Sequence, residues 1–221
     1  MATPSPSSGS SVQLVWPDRA HLPGYVRALE RGWSPNNMNP EAGREELVQI
    51  EADADAFLAS LDSRVERGAP IKLPDGSLVP RLPGYRRWIW LGHDFCGSIG
   101  FRWQDNDGGK EGNNDLPPYC LGHIGYAVVP WQRRRGCATH ALALLLQEAP
   151  ATGLRFVEIT TQPDNLASQK VIRANRGVLV EEFITEPALG GLPELRFRIE
   201  LGVVQQGKEV QHPSRVIEKW N

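Results

Sequence analysis

The chain predicts a mixed α/β fold organised as one domain, and three observations carry that expectation. Its second half alternates strand-like and helix-like segments in the order strand, helix, strand, helix, strand, which implies a mixed sheet with helices on its faces. Its 221 residues suit one core with decorations better than two separate cores. Its 40% hydrophobic and 23% charged residues are ordinary for a globular chain.

Taken in order, residues 1–11 are rich in Ser, Pro and Ala and predict a disordered tail. Residues 12–16 read as a strand ended by Pro17, and 19–31 as a helix stopped at Gly32. A turn-rich loop follows over 33–40. Leu47, Ile50, Ala54, Phe57, Leu58, Leu61 and Val65 then recur at spacings of three and four, the pattern of one amphipathic helix ending before Gly68. Prolines and glycines crowd 70–84 and predict a loop. Two strands, 87–91 and 96–103, are joined by a turn near His93 and Asp94.

Residues 105–118 form a polar insert. Asp105 and Asp107 resemble the start of a calcium loop, but the glycine is misplaced and Leu116 stands where a closing Glu belongs, so a solvated loop is expected. Beyond it, 123–129 predicts a strand, 136–148 a helix, 154–161 a buried strand and 166–175 a helix. Residues 178–184 and 195–201 read as a closing antiparallel pair. The expected organisation is a tail at 1–11, a domain over 12–201 and a polar extension over 202–221.

Composition narrows the function. A net charge of -2 gives no overall pull toward nucleic acid or acidic membranes. Cys96, Cys120 and Cys137 form no C-x-x-C pair and cannot all be bridged, which argues for a reducing compartment. Residues 1–11 lack the basic start and apolar run of a signal peptide, and no apolar stretch approaches the ~20 residues that span a bilayer, so the cytoplasm is expected. His21, His93 and His212 show no ligand spacing with the cysteines, and no metal is expected.

The informative segment runs from Gly125 to Thr139. A strand ends at Pro130, a basic loop follows, and a helix begins at Gly136. Such a turn directs unpaired backbone N–H groups at one spot, and the positive end of the helix dipole reinforces them, so a phosphate group binds there. Gly136 lacks the Cβ that would obstruct approach, Ala138 keeps the first turn thin, and Arg133, Arg134 and Arg135 add positive charge. Neither G-x-x-x-x-G-K-[ST] nor G-x-G-x-x-G occurs here, so the triphosphatase and dinucleotide classes lack their loops. Singly, an Arg triplet reads as a solvated face and a lone Gly as a turn.

Together with a second motif the segment says more. Arg133-Arg-Arg-Gly136-Cys-Ala138 resembles the [Q/R]-x-x-G-x-[G/A] motif of GNAT-superfamily acetyltransferases, and Asn165-Leu-Ala-Ser168 resembles that family's N-x-x-[A/S] helix, with Gly177 ending it. The resemblance spans roughly 12–201 and is strong over 122–184. It implies the GNAT fold: a mixed, mostly antiparallel sheet with a central splayed parallel pair, here 123–129 and 154–161, and helices on both faces. It implies acetyl-CoA as co-substrate, with acetyl passing to a primary amine of a small molecule or of a protein N-terminus by direct attack on the thioester. Main-chain groups of Val128 and Val129 would hold the pantetheine. Arg133, Arg134, Arg135, Gly136, Cys137, Ala138 and Thr139 would hold the diphosphate, and Asn165 and Ser168 would flank the pantetheine arm.

For the base, His123 starts the cofactor strand where many relatives carry Glu, and Glu158 on the neighbouring strand competes with it. The plainer reading of His123 is a hydrogen bond within the sheet, and of Glu158 a surface carboxylate. Ile172 departs from the family, since many members carry a tyrosine acid at that place. Cys137 at the helix start reads as a small residue tolerated in the motif, Trp131 as a cap on the loop, and His140 as structural or exposed. Residues 32–39 and the 105–118 insert are expected to shape the acceptor pocket. A non-catalytic acyl-CoA-binding module is the rival from another class, nucleic-acid binding by the Arg patch is disfavoured by the net charge, and a homodimer is left open.

Overall fold

The computed structural model describes residues 11–37, 39–65, 68–73, 75–104 and 115–202. Residues 1–10 of the tail expected at 1–11, residues 105–114 of the insert expected at 105–118 and residues 203–221 of the extension expected at 202–221 lie outside the described residues.

The first half builds a strand and three helices. β1 spans Val12–Val15 and α1 spans Leu22–Glu30, with a proline in its first turn and Leu22, Tyr25, Ala28 and Leu29 buried. The single long helix expected from the apolar spacing is two: α2 at Ala42–Ala52 and α3 at Ala54–Ser60. Asp53 breaks it. Its backbone is extended (φ -159°, ψ 98°) and its carboxylate accepts the N–H groups of Asp55 and Ala56, each at 3.0 Å, so a strong N-cap competes with the helix interior and wins. The expected loop over 70–84 holds a short hairpin, β2 at Ile71–Lys72 and β3 at Leu78–Val79, turned by Asp75, whose carboxylate accepts the Ser77 N–H at 2.9 Å.

The sheets come next. β4 spans Gly84–Leu91, β5 Asp94–Arg102 and β6 Ile124–Val128; then come α4 at Cys137–Glu148, β7 at Phe156–Thr161, α5 at Leu166–Ala174, β8 at Val178–Ile184 and β9 at Pro193–Glu200. One antiparallel sheet runs β1-β4-β5-β6 and a second runs β7-β9-β8, so β9 lies between β7 and β8 and closes against both.

β6 and β7 are therefore the facing edges of two sheets. They are joined where the His123 N–H donates to the Glu158 carbonyl at 2.7 Å and the Glu158 N–H donates to His123 Nδ1 at 3.0 Å. Past that joint no ladder connects β6 to β7 among the described residues, and the sheets stand open.

Strand alternation gives each sheet face its own core. Ile99, Phe101 and Ile124 pack with Cys137, Ala141, Leu142 and Leu145 of α4, and Ile172 of α5 joins that cluster. On the other face Trp88, Phe95, Ala127 and Val129 pack with Leu22, Tyr25 and Leu29 of α1 and Phe57 of α3. Tyr25 stacks on Trp88 with ring centroids 4.7 Å apart. Polar struts set the helices. Arg86 Nη1 donates to Glu46 Oε1 at 2.7 Å, tying α2 to β4. The Glu148 carboxylate, at the end of α4, accepts from Arg87 at 2.9 Å and from the Tyr85 hydroxyl at 2.8 Å. With its far end fixed, α4 presents its N-terminus where β6 stops.

Candidate active site

The edge of β6 is set by its register with β5. The Arg102 N–H donates to His123 O at 2.9 Å and the Val129 N–H to Cys96 O at 2.9 Å, while Ile99 pairs with Tyr126. In an antiparallel ladder the residues of one parity bond the partner strand and those of the other parity turn N–H and C=O away. Ile124, Tyr126 and Val128 thus direct their main-chain groups into the gap between β6 and β7. Val129 does not. Its N–H is committed to Cys96, its carbonyl accepts the Gln132 N–H at 3.0 Å, and its side chain is fully buried, so of the expected pair Val128 and Val129 only Val128 turns its main-chain groups to the gap, with Tyr126 beside it. Two of the cleft-facing carbonyls already hold side chains: Tyr126 O accepts Asn37 Nδ2 at 3.1 Å, and Val128 O accepts Arg133 Nε at 3.3 Å.

Where β6 ends, Pro130–Gln132 forms a tight helical turn and the backbone reverses. Arg134 (φ 60°) and Gly136 (φ 77°) are both left-handed, a conformation that concentrates N–H groups on the inside of a turn. The N–H groups of Gln132, Arg133 and His140 have main-chain acceptors. Those from Arg134 through Thr139 have none among the described residues. These N–H groups lie at the head of α4, where the helix dipole adds to them, an arrangement that can receive an anion. A Cβ on Gly136 would lie 3.0 Å from His140 Nδ1, so its missing side chain matters for space as well as for φ. Of the basic side chains, Arg135 is hydrogen-bonded to Gln132 Oε1 and Arg133 reaches back to β6. Arg134 carries its charge on the exposed turn. Cys137 is 2% exposed and its thiol points at Gln132 O.

Helix α5 closes the third side. Asn165 is its N-cap, its Oδ1 accepting the Ser168 N–H at 3.1 Å, and Asn175 Nδ2 donates to Thr139 O at 3.1 Å, pinning α5 to the first turn of α4. The Tyr126 hydroxyl reaches from β6 to within 2.9 Å of Ser168 Oγ. Ile172, one turn on, is fully buried in the core. Gly177 follows a left-handed Arg176 (φ 67°), and a Cβ there would lie 2.3 Å from Ile172 Cγ2, so close packing rather than φ demands the glycine.

A family model described as an acetyltransferase (GNAT) domain matches residues 44–177, more than half of the chain. The chain belongs to the GNAT acetyltransferase family. No curated protein matches its sequence. Among solved structures it is similar to Mycobacterium smegmatis RimJ in complex with CoA-disulfide, at 18% identity over 88% of this chain and 84% of that one, with a TM-score of 0.57. It is also similar to an acetyltransferase from Salmonella typhimurium that modifies the N-terminal serine of ribosomal protein L7/L12 (16% identity, 89% and 97% covered, TM-score 0.52). A third is the microcin C7 self-immunity acetyltransferase MccE in complex with acetyl-CoA and AMP (13% identity, 86% and 92% covered, TM-score 0.53). These likenesses are in fold, and the antiparallel sheets with helices on their faces match the GNAT architecture.

Within this GNAT frame the two candidate bases sit at the joint of the sheets. His123 is fully buried, and its Nδ1 lone pair accepts the Glu158 N–H. Protonation at Nδ1 breaks that bond, so the geometry gives the ring a strut's work first. The Glu158 carboxylate is held by Arg196 Nη1 at 3.0 Å and Arg198 Nη2 at 2.8 Å, and it lines a recess of about 250 Å³ with Leu116, Pro117, Cys120 and Phe156. Among the described residues no group of three His, Cys, Asp or Glu side chains could hold a metal ion, and no helix is long and apolar enough to cross a membrane.

Sequence reasoning placed Tyr126 in the cofactor segment and Asn37 in the loop expected to shape the acceptor pocket without giving either a role, and it missed the two arginines on Glu158. Tyr126 stood in the quoted motif, two residues before Val128, and counting the strand's parity from either end would have singled it out. The partners of Asn37 and Arg196 gave no signal, because each contact joins residues far apart in the chain.

Proposed function

We propose that this GNAT protein transfers the acetyl group of acetyl-CoA to a primary amine by direct attack on the thioester, with residues 12–201 as the working domain. The observation that carries this reading is the set of unpartnered N–H groups from Arg134 to Thr139 opening onto the cleft-facing edge of β6. A diphosphate fits that cradle, and an extended pantetheine arm fits beside a strand edge that lacks its neighbour, taking the place of a ladder.

Acetyl-CoA supplies an activated acyl thioester; the chain supplies position and charge. Val128 offers main-chain groups to the arm. The Tyr126 N–H faces the cleft, where it can meet charge developing on the thioester oxygen. The Ser168 hydroxyl, beside the cleft, stands ready to donate to the departing sulfur. An alkyl thiolate is a weak enough base to depart without a strong acid, which makes the buried Ile172 tolerable.

The acceptor class follows from the bases. His123 has its Nδ1 committed and Glu158 is clamped by two arginines, so a strong general base is not presented. A lysine amine near 10.4 is neutral only about once in 2,500 molecules at pH 7, whereas an N-terminal amine near 7.8 is neutral roughly once in seven. A protein α-amine, the kind of group the Salmonella relative modifies, is the acceptor that asks least of this site. The three cysteines are free and buried, which suits the cytoplasm.

Free-thiol release from acetyl-CoA, followed against a panel of peptide N-termini, lysine side chains and small amines, tests the proposal. Turnover with α-amines ahead of lysine supports it. Coenzyme A binding without turnover on any amine would instead support the non-catalytic module, for which Ile172 is the specific observation.

A further inference from the structure

We propose that Tyr126 is a positioning residue for acetyl transfer: its phenol donates to Ser168 Oγ and so aims the serine's own proton into the cleft, at the departing sulfur. This rests on the function proposed above and adds to it a residue that acts through another.

A serine hydroxyl has one proton and rotates freely about its C–O bond, so its partner decides where that proton points. The Tyr126 hydroxyl lies 2.9 Å from Ser168 Oγ, a contact across which either oxygen can donate, and 3.4 Å from Ser168 O; the proposed arrangement places the phenolic proton on Oγ. With the phenolic proton on Oγ, the serine proton cannot lie along the same line and turns away from the tyrosine. Both partners are held at the backbone. Ser168 N–H is fixed by Asn165 Oδ1 at 3.1 Å, and Tyr126 O is fixed by Asn37 Nδ2 at 3.1 Å, so little but the hydroxyl torsion is left to set. Burial pushes the Tyr126 phenol up to about 12 although the Ser168 hydrogen bond lowers it, so the phenol keeps its proton at neutral pH. No other hydroxyl takes this place on α5, because the side chain one turn on is Ile172.

In the step itself the amine nitrogen forms its bond to the acetyl carbon, the C–S bond breaks, and that bond's electron pair goes to sulfur. The amine's surplus proton leaves to solvent. Ser168 donates a hydrogen bond to the resulting thiolate, and Tyr126 holds the donor in line.

The test titrates the thiol of bound coenzyme A by its ultraviolet thiolate absorbance, alongside steady-state kinetics, in wild type, Tyr126→Phe, Ser168→Ala and the double variant. Tyr126→Phe removes one oxygen and keeps the ring; equal melting temperatures show that packing is retained, and Ser168→Ala probes the same bond from its other end. Expected is a bound thiol titrating below that of free coenzyme A in wild type, raised by either single change and no further by both. Expected too is a kcat lowered about 5–10-fold in Tyr126→Phe, with the KM for acetyl-CoA within about two-fold. A thiol unmoved by Tyr126→Phe but moved by Ser168→Ala, additive effects, or an effect on KM alone would overturn the proposal. So would wild type binding coenzyme A with an unshifted thiol. Failure of wild type to bind coenzyme A at all removes the underlying function and this proposal with it.

Discussion

The His123 imidazole and the Glu158 backbone form a reciprocal joint: the His123 N–H donates to Glu158 O at 2.7 Å, and the Glu158 N–H donates to His123 Nδ1 at 3.0 Å. This joint closes one end of the β6–β7 gap, and the gap it leaves open is the candidate site. A side chain does the work that a ladder bond does elsewhere.

His123→Ala therefore destabilises the fold by about 1–3 kcal/mol, the cost of a buried amide left without an acceptor. Asparagine presents an acceptor oxygen in place of Nδ1, so His123→Asn recovers a good part of that loss. Urea midpoints measure both. If His123→Asn retains turnover as well as stability, the ring is a strut; if it is stable and inactive across the pH range, His123 is the base after all.

Gly136→Asp abolishes acetyl-CoA binding. It places a carboxylate at the anion cradle, at φ 77° and with its Cβ 3.0 Å from His140 Nδ1. A calorimetric titration at concentrations that saturate wild type shows no binding heat if this is right, and an unchanged affinity if it is wrong.

Glu148→Ala removes the acceptor of both Arg87 and Tyr85 and leaves Arg87, itself 9% exposed, without its counter-ion. A loss of about 1–2 kcal/mol is expected in denaturant unfolding, because the largely buried Arg87 is stranded while the Glu148 side chain is itself 36% exposed. Acetyl-CoA affinity falls less than stability, since α4 is loosened at the end remote from the cradle.

Glu194 is 5% exposed and its Oε2 has no partner among the described residues; burial raises its carboxyl above the usual value of 4.5. An acid whose folded value lies above its unfolded one lends stability only while protonated, and that contribution is lost as pH rises through the folded value. Glu194→Gln removes the penalty. At neutral pH the variant should be more stable than wild type by about 1 kcal/mol, and the difference should vanish below about pH 4. Melting temperatures across that range measure it, and a variant less stable at pH 7 contradicts the account.

Much of the second half was legible because local signals there agree. The strand before Pro130, the turn to Gly136, and the Asn165 cap each depend on residues close in sequence. Asp53 was misread because apolar spacing runs on through a residue whose own carboxylate ends one helix and starts the next. The hairpin at 71–79 is too short for periodicity to register. The exclusion of Val129 from the cleft follows from which carbonyl on β5 its N–H finds, and the clamp on Glu158 from the register of β7 with β9; neither pairing is written in a local pattern.

The most direct test of the cradle is amide-resolved nuclear magnetic resonance of the protein titrated with coenzyme A. The account predicts that the largest shifts fall on the N–H groups of Arg134 to Thr139, with Tyr126 and Val128 next and Val129 nearly still. Saturable binding that leaves Arg134 to Thr139 unmoved would contradict it.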